Sequence, residues 1–216
     1  MTDPGIRAPK RDCPHCPRLV AFRSKNRADF PAFHNGPVAS FGGTEAKLLI
    51  VGLAPGLKGA NRTGRPFTGD YAGDLLYATL LKLRFAKGHY GAEPDDGLEL
   101  SSTRITNAVR CVPPENKPTG AEVATCRPYL AAEIAGLKRL RAILALGGTA
   151  HGSVLSVFEK KLALHPFAHG AEHELAPGVR LFDSYHCSRL NTNTGRLTRA
   201  MFERIVERIG AWIGER

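Results

Sequence analysis

The chain has no apolar run long enough to cross a bilayer, no segment patterned like a signal peptide, and no long low-complexity stretch. The expectation is one domain, residues 1–216, in the cytoplasm and away from any membrane. Acidic residues are in deficit: 20 Asp+Glu stand against 30 Lys+Arg, a formal charge of +10 that favours a polyanionic partner. The common nucleotide signatures are missing. No Gly-Lys-Ser/Thr closes a phosphate loop, and no glycines take the GxGxxG spacing, so a triphosphate or NAD site has little support. Cysteine is limited to five residues, and in a cytoplasmic setting these are not read as structural disulfides. What is present, a hydrophobic fraction of 43% in 216 residues, suffices for one sizeable core.

Strand and helix signals alternate along that length. Residues 47–53 (KLLIVGL), 104–112 (RITNAVRCV), 141–146 (RAILAL) and 179–185 (VRLFDSY) read as short buried strands. Between and after them, 70–85, 119–140, 148–162 and 196–213 carry apolar residues at helical spacing. The alternation predicts an α/β fold with a mainly parallel sheet covered by helices on both faces, whose ligands bind beyond the carboxyl ends of the strands. Each motif described below follows such a strand end.

The first motif is GLAPGLKGANRTGRPFTGD, Gly52 to Asp70, with five glycines, three basic residues, one aromatic and one acid. Glycines let backbone approach a ligand, and successive amides form an anion-binding concavity. Lys58, Arg62 and Arg65 supply charge, and Phe67 offers a face for stacking a base. An ordinary turn-rich surface loop has the same composition.

The cysteines form a second constellation. Cys13 and Cys16 make a C-P-x-C pair, Cys111 is placed at the end of the second strand, and Cys126 in the helix that follows. Four thiolates complete a ligand set for zinc or an iron–sulfur cluster, and the spacing alone leaves both open beside unrelated cysteines. Cys187 reads as a small packing residue.

The third motif, SYHCSRLNTNTGRLT, runs from Ser184 to Thr198. His186 at a strand end can donate a hydrogen bond to charge developing on a leaving group. Ser188 can bond a phosphate, Arg189 adds charge, and Leu190 can wedge between bases. A polar loop with a helix cap is the plainer reading. Asn107, in the second strand, carries an amide suited to the edge of a nucleobase or to tying down a neighbouring loop.

Taken together, GLAPGLKGANRTGRPFTGD, TNAVRCVPPENKPT with the later Cys126, and YHCSRLNTNTGRLT resemble the three signatures of the type-five uracil-DNA glycosylases, an iron–sulfur branch of bacteria and archaea. The resemblance covers nearly the whole chain. It implies a three-layer α/β/α sandwich with four parallel strands and a monomer acting on DNA near the nucleoid. It also implies a 4Fe-4S cluster on Cys13, Cys16, Cys111 and Cys126, which would tie down the N-terminal segment. Carried across by position, Phe67 stacks on a flipped base, Asn107 reads its edge, His186 stabilises the departing base, and Asp70 assists water or the sugar cation. Gly52, Ala54 and Gly56 complete the base-binding wall.

Departures from the family pattern carry information too. Other branches place an acid at one of the two residues before the loop proline; here Leu53 and Ala54 stand there, and neither activates water. Cys187 replaces the usual proline of the last signature, which leaves the loop around His186 less rigid. Gly56 stands where a single-base-specific branch has tyrosine, so the pocket floor is expected to be open and to admit hypoxanthine and xanthine besides uracil. No lysine is expected in a signature position, so a Schiff-base lyase step is not expected. Two rival classes fit fewer of the motifs: a non-enzymatic, metal-stabilised nucleic-acid-binding protein, and an α/β enzyme holding a mononucleotide on the Gly-rich tract.

Overall fold

Leu48, Leu49, Ile50 and Val51 in succession are fully buried, which a strand achieves only when both faces of its sheet are covered. The computed structural model describes residues 6–214. In chain order it contains α1 (Pro17–Asp29), β1 (Leu48–Gly52), α2 (Ala60–Thr63), α3 (Tyr71–Lys82), β2 (Ala86–Lys87), β3 (Glu99–Leu100) and β4 (Thr103–Asn107). There follow α4 (Gly120–Gly136), β5 (Ala142–Leu146), α5 (Gly148–Val157), β6 (Glu172–Ala176), β7 (Val179–Ser184), α6 (Arg189–Asn193) and α7 (Arg199–Ile213). The main sheet has the order β4-β1-β5-β7-β6. Its first four strands run parallel, and β6 pairs antiparallel on the edge.

Alternate residues of the strands feed two separate cores. Leu48, Ile50, Leu144 and Phe182 pack with Leu76 and Leu80 of α3 and with Phe202 and Val206 of α7. Leu49, Val51, Ile143 and Leu181 face the other way, onto Leu130 of α4 and onto Val154 and Leu155 of α5. This is the predicted α/β/α layering, produced by the period-two exposure of strand side chains. Local chemistry sets the helix starts. Thr119 accepts from the Glu122 N–H at 3.2 Å while the Glu122 carboxylate accepts from the Thr119 N–H at 2.8 Å, a reciprocal cap that begins α4. Glu122 also accepts a two-pronged bond from Arg18 at 2.8 and 2.7 Å, which fastens α1 to α4.

The sheet differs from the sequence reading in three places. It has five strands, not four, because β6 (EHELA) buries only Leu175 fully and offers no apolar run to recognise. The second predicted strand stops at Asn107 and not at 112. Residues beyond it leave the ladder with Ala108 and Val109 donating to Gly52 and Leu53 carbonyls at 2.9 and 3.0 Å, so Cys111 lies on the following loop and not at the strand end. Helix α1 had no sequence signal, since its buried residues are Leu19, Arg23 and Asn26, a stripe with a single apolar member.

Candidate active site

The ends of β1 and β4 and the loop after β7 open onto a cavity of about 680 Å³. The sheet register sets Gly52 beside Asn107. A side chain at Gly52 has no room: a Cβ there would lie 2.4 Å from Asn107 Oδ1 and 2.6 Å from Phe67 Cζ. The absent side chain therefore lets the amide and the ring close in over the strand end. Asn107 is 3% exposed and lines the cavity, and among the described residues its side chain makes no hydrogen bond. The rings of Phe67 and His186 stack with centroids 5.9 Å apart and planes inclined by 30°.

Phe67 has φ of +53°, a left-handed conformation that a bulky residue holds only under restraint. The restraints are visible. The Phe67 carbonyl accepts from the Tyr90 hydroxyl at 3.2 Å, and the Pro66 carbonyl accepts from Tyr77 at 2.6 Å. Arg65 donates its fork to Asp96 at 2.8 and 2.7 Å and its Nε to Thr68 at 2.7 Å. Arg65 is only 5% exposed, so the expectation that it contacts DNA is corrected: it is a buried clamp on the loop that presents Phe67. Its partner, Asp96, is carried well below the ordinary carboxylate range by that guanidinium.

Asp70 lines the same cavity, at the start of α3. Its Oδ2 lies where a Cβ on Gly59 would be 2.3 Å away and one on Gly56 2.9 Å away, so both glycines make space for the carboxylate. Burial raises its pKa from 3.8, opposed in part by the N–H groups of Gly73 and Ala72. Among the described residues its Oδ1 has no hydrogen-bond partner. A buried carboxylate held this way is a strong acceptor with an unfilled site. His186, by contrast, is shifted below 6.5 by burial, so it is a neutral imidazole at pH 7.

The rest of the third motif is arranged around His186. The Asn191 amide donates to the His186 carbonyl at 2.8 Å, and Ser188 caps α6 by accepting the Asn191 N–H at 3.4 Å. Cys187 is fully buried in the core between sheet and helices, where burial pushes its thiol up. It is a packing residue, as expected from its isolation in the sequence. Ser188, Arg189 and Lys58 border the cavity, Arg189 lies 5.7 Å over the Tyr71 ring, and Leu190 is 72% exposed beside them. Arg62 is ion-paired to Glu93 at 2.8 Å on the surface. Ala54 and Gly56 line the cavity with Leu53, while Gly52 supports it from below. Lys58 of the first motif borders the cavity, so the expectation that no lysine sits in a signature position is also corrected. Sequence reasoning passed over Tyr71 and Asn116, which both face the cavity. Asn116 has φ of +56°, and its neighbour Glu115 +54°.

Away from the cavity, Cys13, Cys16, Cys111 and Cys126 all border one small hollow between α1, α4 and the loop after β4. Two donors address its sulfurs: Arg23 Nη1 at 3.9 Å from Cys111 Sγ, and the Arg110 N–H at 3.4 Å from Cys126 Sγ. Burial raises the Cys111 thiol to about 12 and raises Cys16 and Cys126 in the same direction. An all-sulfur, N–H-solvated set of this kind suits a cationic metal group, which deprotonates its thiols on binding.

The family model of the uracil DNA glycosylase superfamily matches residues 39–210. A Thermus thermophilus protein named type-5 uracil-DNA glycosylase is 45% identical over 195 residues, 88% of this chain and 89% of its own. A Mycobacterium leprae protein of the same name is 45% identical over 94% of this chain and 92% of its own. One from Pyrobaculum aerophilum is 41% identical over 94% and 90%. Among the described residues, no helix is long and apolar enough to cross a membrane.

Proposed function

Because the chain belongs to the uracil DNA glycosylase superfamily, we propose that its cavity removes uracil from DNA by hydrolysing the N-glycosidic bond. The observation that carries this reading is the convergence of Asn107 and Phe67 over Gly52, with His186 stacked on Phe67 and Asp70 lining the same cavity. A flipped base stacks on Phe67 and is read by the Asn107 amide, at an unstacking cost of a few kcal/mol that is lowest at a mispair. As the bond breaks, neutral His186 donates its N–H to the anion developing on the base. A well-aimed donor of this type is worth roughly 2.7–4 kcal/mol in the transition state. Asp70 faces the positive charge growing on the sugar or orients the attacking water. Water then completes an abasic site.

Lys58, Ser188 and Arg189 hold phosphates and Leu190 fills the gap left in the stack, with Arg62 joining when its exchangeable surface pair with Glu93 opens. Monofunctional hydrolysis is the reading that an unpartnered carboxylate oxygen of Asp70 in the cavity supports, as a group to orient water. Borohydride trapping tests it, since a covalent adduct through Lys58 would show a lyase step instead. The four cysteines would hold a 4Fe-4S cluster whose part is to fasten α1 and the preceding segment to α4, and the chain works as a cytoplasmic monomer at the nucleoid.

The substrate range extends to hypoxanthine and xanthine, which present a carbonyl and an N–H to Asn107 much as uracil does. Gly56 leaves the floor open, but a Gly56→Tyr variant is a poor probe, because its Cβ would press on Asp70 at 2.9 Å. A panel of oligonucleotides carrying uracil, hypoxanthine, xanthine or adenine tests the range directly. Release of uracil and hypoxanthine without adenine is the expected result, and inertness toward hypoxanthine overturns the open-floor reading.

A further inference from the structure

Beneath the loop that carries His186 lies a cluster that glycosidic cleavage does not use. His151 of α5 and Asp183 of β7 are fully buried, and His173 of β6 is nearly so. One potential ligand atom from each lies within 4.8 Å of the other two, and among the described residues this is the one such group. His151 Nδ1 is 2.8 Å from Asp183 Oδ1, and His173 Nε2 is 3.3 Å from Asp183 Oδ2. The second contact lacks hydrogen-bond geometry. Both of its atoms are buried polar groups with no hydrogen-bond partner, an arrangement that costs free energy unless something binds them.

We propose that these three side chains form a site for one divalent transition-metal ion, zinc being the best match. Two imidazole nitrogens and a carboxylate are a standard zinc donor set, and ligand atoms around a tetrahedral zinc stand ~3.3 Å apart. His173 Nε2 stands at that distance from Asp183 Oδ2, 3.3 Å, and His151 Nδ1 lies 2.8 Å from the other oxygen of the same carboxylate, with one ligand atom of each residue within 4.8 Å of the other two. The outer shell is already in place: His151 Nε2 is 2.9 Å from the His165 carbonyl. An Nε2–H donated there leaves the Nδ1 lone pair facing Asp183, the tautomer a metal requires. Water takes the fourth position. The ion ties α5, β6 and β7 together, and because Asp183 is three residues before His186, it stiffens the strand end from which the His186 loop departs.

The competing arrangement is a metal-free one, in which His151 keeps its contacts to Asp183 at 2.8 Å and to the His165 carbonyl at 2.9 Å as plain hydrogen bonds. Metal analysis separates the two without reference to base excision. Protein purified without chelator is expected to carry about one zinc per chain, independent of iron. Cobalt(II) exchanged into the site should give the visible bands of a tetrahedral ion. His173→Gln, at the rim of the site, is expected to weaken zinc binding by more than the roughly 10–100-fold that follows loss of an outer partner, with iron retained. Asp183→Asn should abolish binding. Zinc added to chelator-treated protein should raise the melting temperature of the natural chain and leave that of His173→Gln unchanged. A chain that takes up no zinc or cobalt, or variants that bind it as tightly as the natural chain, would overturn the site in favour of the metal-free hydrogen-bonded pair.

Discussion

The carboxylate of Asp70 is pressed against Gly56 and Gly59 and raised above its ordinary pKa of 3.8 by burial. A carboxyl whose folded pKa is raised stabilises the fold below its unfolded value, and that contribution is lost as pH rises through the folded value. At neutral pH the ionised group therefore strains the fold, and Asp70→Asn is expected to melt at a higher temperature while excising more slowly. The acid limb of the excision rate should lie above pH 3.8 in the natural chain and vanish in that variant; an unchanged limb would remove Asp70 from it. His186, neutral at pH 7, should leave no inflection near 6.5. The cavity placement of Phe67, Asp70 and His186 was legible in the sequence because each follows a strand end inside a dense motif, and that of Asn107 because it closes a buried strand. Arg65 was not: a charge reads the same whether it meets a phosphate or Asp96, which lies 31 residues away.

Between elements, the cysteine set and a buried ion network do the fastening. Cys126→Ser is expected to lose iron and soluble yield, and Cys187→Ser, which alters a core residue, to keep its iron. Zinc in place of iron after anaerobic purification would contradict the cluster. Two turns further along α4, Glu133 accepts from Arg104 and, at 2.6 Å, from Arg110, all three being almost fully buried. Burial pushes Glu133 up, but the two guanidinium groups carry it below its usual value, so its contribution is present above that value and lost in acid. Glu133→Gln removes the carboxylate charge facing the buried Arg110 guanidinium and is expected to cost about 3–5 kcal/mol in urea unfolding. The parallel strands and long helices showed plainly in the apolar pattern. Strand β6 and helix α1 did not, because an edge strand and a helix held by Arg23 and Asn26 bury too little apolar surface to leave a period. The His151, His173 and Asp183 cluster was equally invisible, since three elements bring it together.

At the scale of the whole molecule, the formal charge of +10 makes binding to DNA a counterion-release process. The logarithm of affinity should fall linearly with that of salt, at about −0.9 per phosphate contacted, and Lys58→Ala and Arg189→Ala should each flatten the slope by roughly one. An unchanged slope would place the DNA elsewhere on the surface. The central claim is that the groups gathered over Gly52 act on the transition state and not on binding. Single-turnover excision of uracil from a defined oligonucleotide, measured beside affinity for abasic DNA, tests it most directly. His186→Ala and Asn107→Ala are each expected to slow excision by about 10²–10³-fold with abasic binding nearly unchanged. Excision at the natural rate, or a loss matched by weaker binding, would contradict it.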